Sequence, residues 1–275
     1  MNNFSKAFVV ATALIMGQSV TASAAGLLPP PVMEPVPIPE PIPVREIYLK
    51  GYMGITNQEI DDFTNDTIAA GPFTIIDHGF DSSPFIGFGI GIRRDERFRF
   101  DLTGEYRGRS DFHGLDTYTG CPFGGGTCTN EYTGIKSEWL FLTNAYWDMF
   151  THRGFTPYIG AGIGAAEITL DKFNDVNQLA GSVHWAKENS EWNFAWALHA
   201  GFSYEISSDL TFDMGYRYSY LGDGKTGNFH TFGGGTSPSP LILEDISSHD
   251  VMIGLRWALG SDGCCVSEPM PISYK

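Results

Sequence analysis

The sequence lacks any continuous apolar run of the ~18–20 residues that a membrane-spanning helix requires. Basic residues are also scarce: 17 Lys and Arg stand against 32 Asp and Glu, which gives a formal net charge of −15. Surfaces that bind nucleic acid are basic, so this charge balance argues against a nucleic-acid partner. The chain is therefore predicted to be neither a helical membrane protein nor a nucleic-acid-binding protein.

Cysteine is sparse, with four residues in a chain of 275. Cys121 and Cys128 enclose a short glycine-rich loop, and a disulfide between them would stabilise the fold by about 2–3 kcal/mol on the chain-entropy model. Cys264 and Cys265 are adjacent, and the sequence indicates no role for them. Neither pair has the spacing of a zinc site, so no metal or other cofactor is predicted.

The N-terminus has the pattern of an export signal. Lys6 is basic, residues 7–16 are mainly apolar, and residues 22–24 (Ala-Ser-Ala) form a small-residue cleavage site. Residues 1–24 are therefore predicted to be a signal peptide, and export permits disulfides. The proline-rich residues 25–45 suit neither a helix nor a sheet interior, and they are interpreted as an extended periplasmic linker. This linker is either inert or a tether that touches the cell wall.

Eight later segments have the character of β-strands. The clearest is Arg97–Ser110, where Phe98, Phe100 and Leu102 alternate with charged residues. Alternation with a period of two predicts a strand with two unlike faces. The predicted strands are Glu46–Thr56, Phe85–Arg94, Arg97–Ser110, Ile135–Met149, Thr156–Leu170, Trp192–Ile206, Leu210–Leu221 and His249–Leu259.

The lengths of the connections alternate strictly between short and long. Connections after the second, fourth and sixth strands are short, whereas the other four are long, at about 57–83, 111–134, 171–191 and 222–248. Outer-membrane barrels have this pattern, with tight periplasmic turns and long extracellular loops. The predicted fold is all-β: an eight-stranded antiparallel up-and-down transmembrane β-barrel over residues 46–260, with both termini periplasmic and a short tail at 261–275.

The apolar faces of these strands are predicted to contact lipid, because a basic side chain on the lipid face near the midplane costs ~2–4 kcal/mol. The charged faces then point into an ionised lumen, and Arg109 is expected to point inward or lie at the rim. Glycines of the second and fifth strands would face the lumen and leave room for long charged side chains. The predicted structural charge network comprises Arg99, Asp101, Glu105, Arg107, Glu138, Glu205, Asp213, Arg217, Asp250 and Arg256.

Three pieces of the chain, residues 157–166, 194–222 and 249–259, resemble the later strands of opacity-type outer-membrane surface antigens. These are small eight-stranded barrels related to the barrel domain of the major outer-membrane proteins and common in alphaproteobacteria. The resemblance implies an integral outer-membrane protein that supports the envelope and meets other surfaces with its loops, without catalytic residues. The expected partners are outer-membrane lipid, lipopolysaccharide and the barrel assembly machinery, with peptidoglycan or host surface molecules as further candidates.

A lipid-modifying hydrolase is one alternative function. Ser247 and His249 are two residues apart and share a face of a strand, with Glu244 and Asp245 close by. A Ser–His–acid arrangement can activate the hydroxyl as a nucleophile. The interpretation preferred here is a polar loop end that meets a strand, so no enzyme is predicted.

Ligand capture by the loops is another alternative, alongside adhesion. Four histidines in different predicted loops could converge on haem or another ligand, although no two have metal-ligand spacing. A narrow porin is the last alternative, but eight strands leave little lumen. The histidines concerned are His78, His113, His184 and His230.

Overall fold

The computed structural model describes residues 46–65, 73–121, 126–231, 235–237 and 239–259. The predicted signal peptide, the proline-rich linker and the C-terminal tail with Cys264 and Cys265 lie outside the described residues. No helix in the described ranges is long and apolar enough to cross a membrane.

The described residues form thirteen β-strands, and every pairing between them is antiparallel. The all-β prediction is therefore confirmed. The strands are β1 (Glu46–Glu59), β2 (Asp62–Thr64), β3 (Phe73–Phe80), β4 (Ser83–Arg93), β5 (Phe98–Thr119), β6 (Thr127–Asp148), β7 (Phe155–Asn177), β8 (Ser182–Ala186), β9 (Asn189–Glu205), β10 (Leu210–Lys225), β11 (Phe229–Thr231), β12 (Thr236–Ser237) and β13 (Ile242–Leu259).

Eight of these strands pair in a closed ring, in the order β1, β4, β5, β6, β7, β9, β10, β13 and back to β1. They correspond to the eight segments predicted from the sequence, four of which were predicted one residue too long at the end with the short connections. Most of them run further than predicted at the end that carries the long connections, which we call the long-connection end. There β2, β3, β8, β11 and β12 add to the wall. Much of what was predicted as loop is therefore paired strand, which satisfies its backbone N–H and C=O groups.

The two faces of the ring are inverted relative to a water-soluble protein. Outward-facing apolar side chains are exposed, as with Leu102 (58%) and Phe88 (66%), whereas Arg99, Arg107 and Arg217 are among the largest fully buried side chains. Alternation along each strand produces this inversion, because neighbouring side chains point to opposite faces. These exposed apolar side chains surround the ring on its outer surface, and we call them the belt. An exposed apolar surface of this extent marks contact with a membrane.

The six glycines of β4 and β7 face inward, but tyrosine rings rather than charged side chains occupy the space beside three of them. A Cβ at Gly87 would overlap the ring of Tyr52, and one at Gly91 would overlap Tyr48. Gly160 is similarly covered by Tyr146. The expectation that these glycines accommodate arginine and glutamate is therefore wrong, because large aromatic rings fill the interior beside them.

Near the long-connection end the interior becomes apolar. Beyond the belt the outer face of the wall no longer needs to be apolar, and an apolar interior gains hydrophobic free energy there as it does in a soluble protein. The expectation of an ionised interior along the whole ring is thus corrected for this end. The core includes Phe63, Phe80, Phe112, Tyr132, Ile168, Leu170, Phe173, Leu221, Leu243 and Ile246.

Candidate functional site

The middle of the ring holds six charged side chains, each no more than 2% exposed, which we call the central cluster. Three are basic and three are acidic, so their formal charges balance. Such balance is required because an unpaired charge in a buried site is costly. The members are Glu105, Arg107, Lys136, Glu138, Arg217 and Asp250.

Glu105 is the acceptor on which most of the central cluster converges. Arg217 donates to both of its carboxylate oxygens, from Nη1 at 2.8 Å and from Nη2 at 2.6 Å. Arg107 Nε donates to Oε1 at 2.8 Å, and the Tyr52 hydroxyl donates to Oε2 at 2.9 Å. Four donors from three strands therefore hold one carboxylate.

Arg107 and Asp250 extend the central cluster across the ring. Arg107 Nη2 lies 2.7 Å from Asp250 Oδ2, and Arg217 Nε donates to the same oxygen at 2.8 Å. On the other side, Glu138 Oε1 lies 3.2 Å from Arg107 Nε, and Lys136 Nζ donates to Glu138 Oε2 at 2.5 Å. Side chains from β5, β6, β10 and β13 are thereby connected through the interior.

A second cluster lies toward the short connections and again has three basic and three acidic members. Arg99 is bidentate with Asp148, at 2.7 and 2.8 Å, and Arg256 Nη2 lies 3.3 Å from Asp213 Oδ1. The remaining pair is Lys50 with Asp101, at 3.6 Å. Ionic side chains therefore fill the ring in two layers, which favours a plug over an open channel.

Nine of the ten residues predicted for the network lie in these two clusters. Glu205 does not: it is exposed near the short connections, and no ion pair joins it within the described part of the chain. Lys50, Lys136 and Asp148 also belong to the clusters and were not among the predicted residues. Lys136 and Asp148 were detectable, because each is an even number of residues from Glu138 and therefore shares its face.

A smaller polar cluster lies in the interior at the long-connection end. Asp116 is fully buried and accepts hydrogen bonds from Asn130 Nδ2 at 2.8 Å and the Tyr132 hydroxyl at 3.0 Å. Asp175 is the β7 partner of Tyr132. Burial, followed by the charge of Asp116, raises the pKa of Asp175 to about 7. Burial also raises the pKa of Asp116.

The raised pKa of Asp175 predicts a pH-dependent stability. An unfolded aspartate has a pKa of ~3.9, so between about pH 4 and 7 the folded chain holds a proton that the unfolded chain releases. The free energy of unfolding should fall through that range and then level off. Asp175→Asn should match the wild type near pH 4 and be more stable at pH 8, as measured by urea unfolding at both pH values. Asp111→Asn, an exposed carboxylate in β5, should show no such difference, and equal curves for the wild type and Asp175→Asn at pH 8 would contradict the prediction.

The hydrolase hypothesis finds no assembled triad in the described residues. His249 Nδ1 lies 2.5 Å from the Tyr216 hydroxyl, and Asp245 accepts a hydrogen bond from the Tyr220 hydroxyl at 2.7 Å. Ser247 lies in β13 but hydrogen-bonds to neither His249 nor Asp245 among the side-chain contacts of the described chain. The histidine and the acid are thus engaged by tyrosines rather than by the serine.

The four predicted loop histidines do not converge on one point. His78 Nε2 lies 3.2 Å from the Ile60 carbonyl oxygen, and exposed His113 lies 3.9 Å from Asp77. His230 packs on Trp185, with ring centroids 4.7 Å apart, and His184 lies in β8. Within the ranges that the structure describes, no group of three or more His, Cys, Asp or Glu is arranged to hold a metal.

The β7–β8 hairpin projects apolar side chains beyond the belt. Leu179 at its tip is 64% exposed, and Val183 and Trp185 are 36% and 38% exposed. The turn is held by Asn177, whose Oδ1 accepts from the Ala180 N–H at 2.8 Å, and by the positive φ of Gly181. We call Leu179, Val183 and Trp185 the hairpin patch. In a separate hairpin, Cys121 and Cys128 form a disulfide.

Known proteins share this sequence pattern. The model of the family described as outer membrane protein beta-barrel domain matches residues 43–237. A Brucella abortus protein is 28% identical over 285 residues, covering 90% of this chain and 96% of its own. Outer membrane protein PagN of Salmonella typhimurium is 25% identical over 222 residues (77% and 89%), and a candidate adhesin of Rickettsia bellii is 30% identical over 173 residues (62% and 72%).

Solved structures align with this chain at low similarity. Neisserial surface protein A aligns over 78% of this chain and 97% of its own, at 15% identity and a TM-score of 0.42. The family assignment itself depends on the match to residues 43–237, which is more than half of the chain. The chain therefore belongs to the outer membrane protein beta-barrel domain family, and its location is the outer membrane.

Proposed function

We propose that this protein is a non-catalytic structural and surface protein of the outer membrane, with its long-connection end outside the cell and both chain ends in the periplasm. The observation that carries the proposal is the hairpin patch. A rigid scaffold holds three apolar side chains outside the apolar belt, where burial against lipid does not account for them. Loops positioned by a rigid scaffold are where binding residues concentrate.

The structural half of the proposal rests on the two balanced ionic clusters. They connect strands across the ring with short, buried contacts, and the apolar core closes the interior toward the long-connection end. A filled interior suits a rigid envelope protein better than a porin. The hydrolase alternative is not proposed, since His249 and Asp245 are bonded to tyrosines.

The surface half of the proposal is adhesion through the hairpin patch. Tryptophan is enriched at binding hot spots, and Trp185 is backed by His230 on the neighbouring strand. The Rickettsia bellii relative is named as a candidate adhesin, which agrees with this role. Acidic residues dominate the chain, so an apolar or basic partner surface fits it better than an acidic one.

The test is adherence of a non-adherent bacterial strain that expresses the full chain. Truncation of a hot-spot residue costs at least about 2 kcal/mol, so Trp185→Ala or Leu179→Ser should weaken binding, and with it the retention of bacteria on cultured host cells, by roughly thirtyfold. Ile76→Ser, which removes an apolar side chain that is 58% exposed on β3, is the matched control and should change retention little. Surface labelling would verify equal display. Equal retention of the wild type and Trp185→Ala, or an equal loss with Ile76→Ser, would refute recognition by the patch.

A further inference from the structure

An apolar groove opens on the membrane-facing surface where β13, β1, β4 and β5 lie side by side. Its volume is about 640 Å³, within the ~300–1,000 Å³ range of small-ligand pockets. Met53, Ile55, Tyr106, Val251 and Ile253 form its walls. The groove is thus a defined apolar site, in addition to the general lipid contact of the belt.

Two glycines line the groove. Gly54 faces the interior, where the ring of Phe85 lies at the position that its Cβ would take, so only the backbone of Gly54 contributes to the floor of the groove. Gly108 lies at the other side, next to Pro84. An unbranched acyl chain is the occupant whose shape and polarity match a narrow apolar groove in a membrane-facing wall.

A β-bulge places an arginine beside this groove. Arg107 pairs with Glu138 and Ser110 with Lys136, so β5 carries one residue more than β6 between these pairs. The extra residue turns Arg109 outward, where it is exposed, whereas strict alternation would place it inside with Arg107. Arg109 was predicted to point inward or lie at the rim, and the bulge places it at the rim.

Arg109 is available to a ligand. No ion pair or hydrogen bond engages its side chain within the described residues, although most other arginines of the wall are paired. Arg109 directly follows Gly108, which lines the groove. On the side of Arg109 nearer the middle of the belt, Tyr106 and Trp139 pack together with ring centroids 5.0 Å apart. Aromatic girdles of this kind lie at the membrane interface, so the guanidinium is at the level of lipid headgroups.

Other polar groups complete the rim of the groove. Ser82 Oγ donates to Asn57 Oδ1 at 3.3 Å, and both residues are exposed above the groove on its β1–β4 side. One step further from the belt, Glu59 and Asp111 are exposed carboxylates. From the belt toward the long-connection end, the side chains are therefore first apolar, then cationic or neutral polar, and then acidic. This sequence of surfaces suits a phosphorylated lipid accompanied by divalent cations.

We propose that the groove and Arg109 bind one molecule of lipid A, with an acyl chain between Met53 and Val251 and a phosphate on the guanidinium. Arginine matches phosphate geometry through its planar fork of donors. The site lies in the half of the belt nearer the long connections. Its assignment to the outer leaflet, and hence to lipid A, rests on the proposed topology.

The test measures lipid retention on the purified full chain by native mass spectrometry, which depends on neither adherence nor topology in cells. Diphosphoryl lipid A should be retained as a one-to-one complex. Arg109→Gln should weaken its retention by about tenfold or more, the usual effect of losing a charge-assisted hydrogen bond. Val251→Trp and Ile55→Trp, which fill the groove, should weaken it as well, and unchanged migration on unheated gels would verify folding.

Three controls make the result decisive. Arg97→Gln removes an exposed arginine at the opposite end of β5 and should leave retention unchanged. Phosphatidylglycerol with matched chains should bind more weakly, and inorganic phosphate should not compete. Equal retention by wild type and Arg109→Gln overturns the site, and equal binding of phosphatidylglycerol and lipid A overturns the choice of lipid A. Loss of adherence in Trp185→Ala would leave these outcomes unaffected, so the two proposals fail separately.

Discussion

Replacing Glu105 with glutamine is expected to destabilise the protein by about 3–5 kcal/mol, the usual cost of breaking a buried ion pair from one side. Arg107 and Arg217 would keep Asp250 but lose the charge of their other shared partner, and the central cluster would hold three basic but only two acidic groups. The excess positive charge would stay out of contact with water, because each remaining member of the central cluster is at most 2% exposed.

The experiment compares urea unfolding of the refolded full chain in lipid vesicles, followed by tryptophan fluorescence. Arg93→Gln is the matched control, since Arg93 and Glu46 are 3.6 Å apart with side chains 30% and 26% exposed. Surface pairs of this kind contribute about 0–1 kcal/mol. Equal losses in Glu105→Gln and Arg93→Gln would show that the central cluster adds no more than a surface pair.

Charge balance, as distinct from the individual hydrogen bonds, is tested by a double variant. Adding Arg217→Met to Glu105→Gln restores equal numbers of acidic and basic groups in the central cluster. The double variant should therefore lose less stability than the sum of the two single variants, and a double-mutant cycle measures the difference. An additive cycle would contradict the balance argument.

The parts of the fold that were predictable from the sequence are those that follow from alternation. Phe98, Phe100 and Leu102 alternate with charge, and the structure places them outside and Arg99 and Asp101 inside. Lipid imposes this choice strongly, because one misplaced charge costs a sizeable part of the stability of a domain. The eight ring strands and their order were therefore recoverable without coordinates.

Two kinds of feature could not be predicted from the sequence: interruptions of the alternation, and contacts between strands that are distant in the chain. The bulge at Gly108 and Arg109 shifts every later residue of β5, so Phe112 faces inward and Asp111 outward, in the phase opposite to a continuous strand. The residue types around positions 108 and 109 do not indicate that β5 carries one extra residue there. The ion-pair partners were equally hidden, since Glu105 and Arg217 are 112 residues apart and meet only once the ring has closed.

The long connections were misjudged for a different reason. Their composition is rich in Gly, Asp, Asn and Thr, which is typical of loops, and yet β5, β6 and β7 continue through them as strands of 22, 22 and 23 residues. Pairing with neighbours and an apolar core of long-range contacts override local propensity there. Many of the polar side chains in these extensions lie on the outer face, although Asp116 and Asn130 are buried. Phe112 and Phe173 stack in the interior, with ring centroids 5.4 Å apart.

Introducing arginine at Leu102 is expected to destabilise the membrane-inserted protein by ~2–4 kcal/mol, the cost of a basic side chain at the bilayer midplane. Leu102 lies midway along the outward face of β5 between Phe98 and Tyr106, and its neighbours Ile90 and Thr143 carry no charge that could pair with it. On a water-exposed surface the same substitution would change stability by no more than about 0.5 kcal/mol. The size of the loss therefore reports which solvent meets this face.

The cost of an introduced arginine should depend on its depth in the membrane, which distinguishes a lipid effect from a general loss of packing. Phe98→Arg, near the short connections, should cost only about 0–1 kcal/mol from charge, because the penalty of a basic residue falls toward the interface. His113→Arg, on the same strand beyond the belt and 3.9 Å from Asp77, should be close to neutral. Urea unfolding in vesicles would rank the three variants, with Leu102→Arg the least stable. A flat ranking, together with a chain that stays soluble and monomeric without detergent, would mean that water rather than lipid surrounds the ring, and the inverted arrangement of charge inside and apolar residues outside would lose its physical cause.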